Sequence, residues 1–190
     1  DMELNINANI TFQRNKLLSL SGMYNGEMLS APEYKSLSGL DGAGFHGGYN
    51  HIVYQMVGQP LGVFYLPHST GLESDGNGGY TYGIADLNGG GVSLEDGEDR
   101  YVAGQAVPKT ILGSNISFRY KRFDLSLQVN GAFGHKIYNG TSLTYMNMNI
   151  FPDYNVMKKA PKQNIKDQTA TDYWLEKGDY VNFDYVTLGW

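Results

Sequence analysis

The residues best suited to chemistry are acids, aromatics and four histidines. Asp86-Leu87-Asn88-Gly89-Gly90-Gly91, followed by Glu95, Asp96, Glu98 and Asp99, is rich in oxygen ligands at short spacing. A calcium loop uses oxygens at its first, third and fifth positions and a bidentate acid at its twelfth. Here the fifth is Gly90 and the twelfth Gly97, so side-chain ligands are lost at both. Asp86, Asn88 and Asp99 are the candidate ligands for Ca²⁺, and an Asx-Gly turn is the competing expectation. His46, His51, His68 and His135 share no metal-ligand spacing. Cysteine is absent, which removes thiol catalysis and disulfides. No Ser-His-Asp order stands out, so no catalytic residue is expected and the chain reads as a non-enzyme. Tyr80, Tyr82, Tyr145, Tyr154, Tyr173 and Trp174 lie in long polar stretches. They suit stacking on sugars or docking a partner protein. The alternatives are packing within their own loops or a place in an interfacial aromatic girdle.

The elements that position these residues are strands. Thr110 to Phe133 reads as a hairpin turning at Lys121-Arg122. Leu112, Ile116, Phe118 and Tyr120 alternate with polar residues, as do Phe123, Leu125, Leu127 and Val129. A period of two puts each apolar set on one face, and pairing Tyr120 with Phe123 puts both on the same face. Lys-Arg is a poor primed-turn dipeptide, so a turn longer by a residue or two is also open. Glu3 to Phe12 alternates most cleanly, with Leu4, Ile6, Ala8, Ile10 and Phe12 opposite Glu3, Asn5, Asn7, Asn9 and Thr11. Near the end, Val181, Phe183 and Tyr185 alternate with Asn182 and Asp184.

Short strands are expected at 51–57 and 63–66, and one helical turn at Thr171–Lys177. Residues 25–50, 67–109 and 134–179 read chiefly as Gly-, Asn-, Tyr- and acid-rich loop. Loops this long are uncommon in a compact domain unless functional. The alternating segments run to the roughly 9–11 residues of a transmembrane β-strand, against about 5–6 for a typical globular strand. Two architectures fit. One is an antiparallel membrane barrel with polar residues facing its lumen. The other is a secreted β-sandwich that presents aromatic loops to glycans.

Composition narrows the partners. The 190 residues are 41% hydrophobic with a net charge of −5 and no basic block. That argues against a nucleic-acid partner. No apolar run approaches the ~20 residues of a membrane helix. The sequence opens at Asp1 without an initiator Met or signal peptide, so either a removed signal or a longer parent chain is expected.

Four blocks carry a family resemblance. Gly58-Gln59-Pro60-Leu61-Gly62, followed by Phe64-Tyr65 and Gly71-Leu72, resembles a stretch of SusC/RagA-type TonB-dependent outer-membrane transporters. Asp86-Leu87-Asn88 with its glycines, then Asp99-Arg100, Gly104 and Pro108-Lys109, resembles that family's next segment. FDLSLQVNGAFGHKIYNG at 123–140 and TDYWLEKGDYVNFDYVTLGW at 171–190 resemble two later signatures, the last being highly specific. The resemblance covers residues 55–190, and residues 1–54 are compatible with it.

The resemblance implies a large antiparallel barrel of about 22 strands with a plugged lumen. It implies import of glycan or peptide oligomers across the outer membrane of Bacteroidetes. A SusD-like surface lipoprotein would act as lid, and TonB would supply energy through parts absent here. Membrane strands are then expected at 3–12, 110–120, 123–133 and 180–190. Extracellular loops are expected at 13–109 and 134–179. Four strands cannot close a barrel in lipid, so the chain is expected to be one piece of a larger assembly.

Overall fold

The computed structural model describes residues 2–40 and 51–190. His46 and the glycines at 42, 44, 47 and 48 lie outside the described residues. The first half of the chain carries β1 (Met2–Phe12), β2 (Gly22–Tyr24), β3 (Glu27–Leu29), β4 (Tyr34–Gly39), β5 (His51–Met56) and β6 (Val63–Pro67). Next come β7 (Ser69–Ser74), β8 (Tyr80–Ile84), β9 (Arg100–Gln105), β10 (Thr110–Tyr120) and β11 (Phe123–Phe133). The last part holds β12 (Lys136–Tyr138), α1 (Gly140–Tyr145), α2 (Ala160–Gln163), β13 (Leu175–Lys177) and β14 (Tyr180–Gly189). Single 3-10 turns sit at Met148–Ile150 and Asp172–Trp174. The class is all-β, and the strands do not close a barrel within this chain. No described helix is long and apolar enough to cross a membrane.

The chain divides into two units. One is a four-stranded antiparallel sheet in the order β1-β10-β11-β14. Its strands are 11, 11, 11 and 10 residues long. At about 3.4 Å per residue, each spans more than 30 Å. Tyr120 pairs with Phe123, so the turn is two residues, with Lys121 left-handed at φ 56°. Leu4 pairs with Phe118 and Phe118 with Leu125; Ile6 pairs with Ile116 and Ile116 with Leu127. The apolar sets therefore share one face in register.

Among the described residues no core covers that face. Leu4, Ile6, Ile10 and Phe12 are all more than half exposed, as are Val181, Phe183, Val186 and Leu188. Ala132 is the one buried hydrophobic residue described in this sheet.

β14 departs from simple alternation. Phe183 pairs with Val129 and Tyr185 with Gln128, leaving Asp184 as the extra residue of a β-bulge. The bulge resets the phase. Val181 and Phe183 face the apolar side before it, and Val186 and Leu188 after it, opposite Leu127 and Leu125. Tyr185 accordingly lies on the polar face beside Gln128, not with Phe183 as strict alternation predicts. The three-residue step from Phe183 to Val186 is the sequence mark of this slip.

The second unit joins Lys16–Gln105 to Ile137–Glu176. The stretches expected as loop hold much of its structure, because β3, β4, β7, β8 and β9 all form within them. β2 and β3 close on Asn25-Gly26, both at positive φ, the favoured chemistry of a two-residue hairpin. β4, β5, β6 and β9 form an antiparallel sheet in that order. β6 is buried at every residue. Phe64 and Leu66 enter one core cluster with Ile52, Tyr82, Leu143, Ile165 and Ala170, while Val63 and Tyr65 join Tyr54 in another. Period two thus feeds two cores from one strand. The larger cluster draws on residues from both sides of the β10–β11 hairpin in sequence, so two apparent loops fold as one body.

Candidate functional site

The polar face of the long sheet is a field of carboxamides. Register aligns Asn7 with Asn115 and Asn115 with Gln128, and Asn9 with Gly113 and Gly113 with Asn130. A Cβ on Gly113 would stand 2.9 Å from Asn9 Oδ1. Its absence leaves a depression of about 280 Å³ lined by Asn7, Asn9, Asn115, Gln128 and Asn130. Each carboxamide both donates and accepts, so the surface can meet any neutral hydrogen-bonding group. Asn115 Nδ2 already donates to the Tyr185 hydroxyl at 3.0 Å. Charged residues gather nearer the turn, where Glu3 opposes Arg119 and Arg119 opposes Asp124.

In the second unit the aromatic residues separate into two groups. Tyr82 is buried, and its hydroxyl accepts from Trp174 Nε1 at 2.7 Å. Tyr173 lies edge-on to Trp174 at 4.9 Å and tilted to Tyr82 at 5.3 Å. These three pack on one another, and burial pushes the Tyr82 phenol above its ordinary range. Thr171 caps their short turn by accepting from Tyr173 N–H. Tyr80 is substantially exposed, and its backbone bridges to Ile165. Tyr145 is half-buried at the end of α1. Tyr154 is exposed and lines a polar cavity of about 430 Å³ with Asn149, Asp153, Lys166 and Thr169. The structure does not gather the six aromatics into one platform.

Asp86, Asn88 and Asp99 do meet on a single loop, and their oxygens there accept backbone amides. Asp99 is fully buried and accepts from Leu87, Asn88 and Ser93 N–H at 2.6, 3.3 and 2.8 Å. Those amides, Ser93 foremost, hold its carboxyl below the usual range. Asp86 accepts from Gly89 and Gly91, and Asn88 Oδ1 from Gly90. Among the described residues no three His, Asp or Glu side chains converge as a metal cage requires.

Two networks escaped the sequence. Arg100 Nη1 donates to the Tyr54 hydroxyl at 3.0 Å and lies 3.2 Å from Asp96, while Tyr54 donates to Asp96 at 2.7 Å. Asp172 accepts from Tyr101 at 2.6 Å and from Ser69 N–H at 2.7 Å, with His68 Nδ1 at 2.8 Å. Burial and this bond to Asp172 raise the Tyr101 phenol. Each joins segments far apart in the chain, as Tyr54 to Asp96 and Tyr101 to Asp172 show, so no spacing announces it. Both are tethers that fix loop positions.

No protein-family model matches the chain. It is 27% identical over 154 residues to TonB-dependent receptor P3 of Formosa agariphila, a match covering 70% of this chain and 15% of that protein. Its fold matches the RagAB peptide transporter with a TM-score of 0.65 at 11% identity, over 98% of this chain and 20% of that one. The RagAB peptide importer in a "closed-closed" state matches with a TM-score of 0.66 at 14% identity, over 99% and 20%. The chain therefore spans about a fifth or less of the length of these relatives. They are a receptor and transporters, not enzymes. The chain resembles a TonB-dependent receptor in sequence and the RagAB transporter in fold.

Proposed function

We propose that this chain is a barrel segment of a TonB-dependent outer-membrane importer of the SusC/RagA type. One observation carries the proposal: a sheet of four long strands in register has an apolar face with no core against it and a polar face opposite. In water such an apolar patch is a liability. In a bilayer it is the outer wall of a barrel. A secreted sandwich would bury Leu4, Ile6, Phe183 and Leu188 under a second sheet, and each is more than half exposed.

On this proposal β1, β10, β11 and β14 cross the membrane, with strands from the rest of a longer chain completing the wall. Asn5, Asn7, Asn9, Asp124, Gln128 and Asn130 face the lumen. Segments 13–109 and 134–179 lie outside the cell as one folded body, which contacts cargo or a SusD-like lipoprotein lid. Glycan or peptide oligomers are the cargo, and TonB acts through regions beyond this chain. Passage is gated and involves no covalent chemistry.

The test is site-directed spin labelling of the full-length protein in liposomes. A label at Leu127→Cys is expected to be relaxed by oxygen dissolved in lipid, and a label at Gln128→Cys by a water-soluble nickel chelate. Aqueous access at both positions, or the reverse pattern, would overturn the proposal.

A further inference from the structure

The β-bulge in β14 places a carboxylate in the carboxamide field. Asp184 is the residue the bulge adds, and its phase-reset neighbour Tyr185 also faces the polar side. Asn130 Nδ2 lies 2.6 Å from both Asp184 oxygens, and Asn182 Nδ2 donates to Oδ1 at 2.9 Å. Asn130 also lines the depression at Gly113, so one side chain links the carboxylate to that hollow. The donors holding Asp184 are neutral, and no ion pair to it forms among the described residues. Across this sheet Arg119 instead stands opposite Glu3 and Asp124. Among the described residues the carboxylate thus lies on the polar face without a cation beside it. Bulges of this kind re-aim side chains at functional positions.

We propose that Asp184, with Asn130 and the hollow at Gly113, is a subsite for a cationic group on a peptide, a lysine ammonium being its simplest form. It rests on the polar face lining the importer's lumen, and it makes Asp184 a specificity-determining residue there. Charge complementarity selects the occupant, because a carboxylate held by neutral amides, with no cation paired to it among the described residues, attracts an ammonium and repels an anion. The carboxamides beside it match peptide N–H and C=O groups in both directions. A neutral glycan gains nothing from the charge.

The test uses the full-length protein expressed in an outer membrane, with surface level and liposome insertion measured for every variant. Three capped, fluorescent hexapeptides differing only in a central Lys, Gln or Glu are offered separately, together with maltohexaose. The expected result is uptake in the order Lys over Gln over Glu, with a Lys-to-Gln ratio of about three to five. That ratio falls toward one in Asp184→Asn, is largely retained in Asp184→Glu, and shrinks with added salt. An unchanged ratio in Asp184→Asn, with uptake intact, overturns the subsite and leaves the importer standing. So does equal uptake of the three peptides by the unaltered protein, or uptake of maltohexaose alone. A protein that never reaches the outer membrane overturns both. If Asp184→Asn inserts poorly, the Asp184→Glu ratio and the salt dependence decide.

Discussion

In the long sheet, strands of 10 and 11 residues expose their apolar side chains along one whole face. In the second unit the strands are three to six residues long, and the central strand β6 buries its side chains on both faces. Both regions are antiparallel ladders with backbone groups paired, and both use Leu, Ile, Val, Phe and Tyr. They differ in what the apolar atoms touch. The second unit supplies its own solvent-excluding partners in the Ile52–Leu143–Ile165 cluster. Among the described residues the sheet has no such partners on its apolar face. On the proposed function, one region is built for water and the other for lipid, and the same substitution should act differently in each.

The sharpest way to break this comparison is to truncate leucine in both. Leu66→Ala empties a fully buried position, and about 2–5 kcal/mol of the second unit's stability should be lost. Limited proteolysis of the full-length protein would read this as early cleavage within 16–105, with membrane insertion unchanged. Leu127→Ala should lose far less, because lipid closes around the smaller side chain. Equal effects would mean that Leu127 is packed in a core.

A charge tests the two faces of the sheet. Leu127→Arg should cost about 2–4 kcal/mol of barrel stability near the bilayer midplane. Gln128→Arg, one residue on, should cost little. Heat-modifiable migration and urea unfolding in liposomes would measure both, and a costly Gln128→Arg with a mild Leu127→Arg would invert the assigned faces.

A smaller effect concerns the Asp86–Asp99 loop. Amides hold the Asp99 carboxyl below its ordinary range. Its contribution is therefore complete above that range, near pH 4, and disappears as pH falls through the depressed value. Hydrogen exchange of residues 87–93 should stay protected from pH 8 to about pH 5 and lose protection on further acidification. Asp99→Asn cannot accept all three amides, so it should show weakened protection throughout and a flatter pH profile. Unchanged protection in that variant would remove Asp99 as the loop's anchor.

The smallest effect is at the hairpin turn. Lys121 adopts φ 56°, a region costly for residues with a Cβ. Lys121→Gly removes that cost and also the ammonium 5.3 Å from the Tyr120 ring. The net gain should stay below about 1 kcal/mol in urea unfolding of the intact protein. A clear loss would assign the lysine a contact outside this hairpin.

These contrasts also explain what the sequence revealed. β1, β10 and β11 were legible because each keeps one phase over a long run and lies between two unlike environments. β14 was half legible: its strand was plain, but the bulge at Asp184 hid the true face of Tyr185 until pairing with Gln128 was seen. In the second unit β5 and β6 were expected, and the rest was read chiefly as loop because its strands are short and glycine-punctuated. Asn25-Gly26 was a hairpin sign passed over within a polar stretch. Asp86, Asn88 and Asp99 share one loop. That their oxygens serve as amide acceptors depends on backbone geometry, which spacing does not carry. The Asp172 network with His68 and Tyr101 is a product of tertiary folding alone.

The pairing of β1 with β10 also has a consequence in time. β10 and β11 are joined by two residues and can zip locally, whereas β1 must wait for β10 across all of 13–109. Closing a long loop costs entropy that grows slowly with length, about 0.6 kcal/mol per doubling. Folding of the intervening residues into a packed body shortens that search by bringing the ends of a long chain under control. The order of events is then set by topology: the local hairpin early, β1 onto β10 late. On the proposed function, a lesion such as Leu66→Ala, outside the four long strands in sequence, should slow assembly of the sheet while leaving the amount finally inserted unchanged.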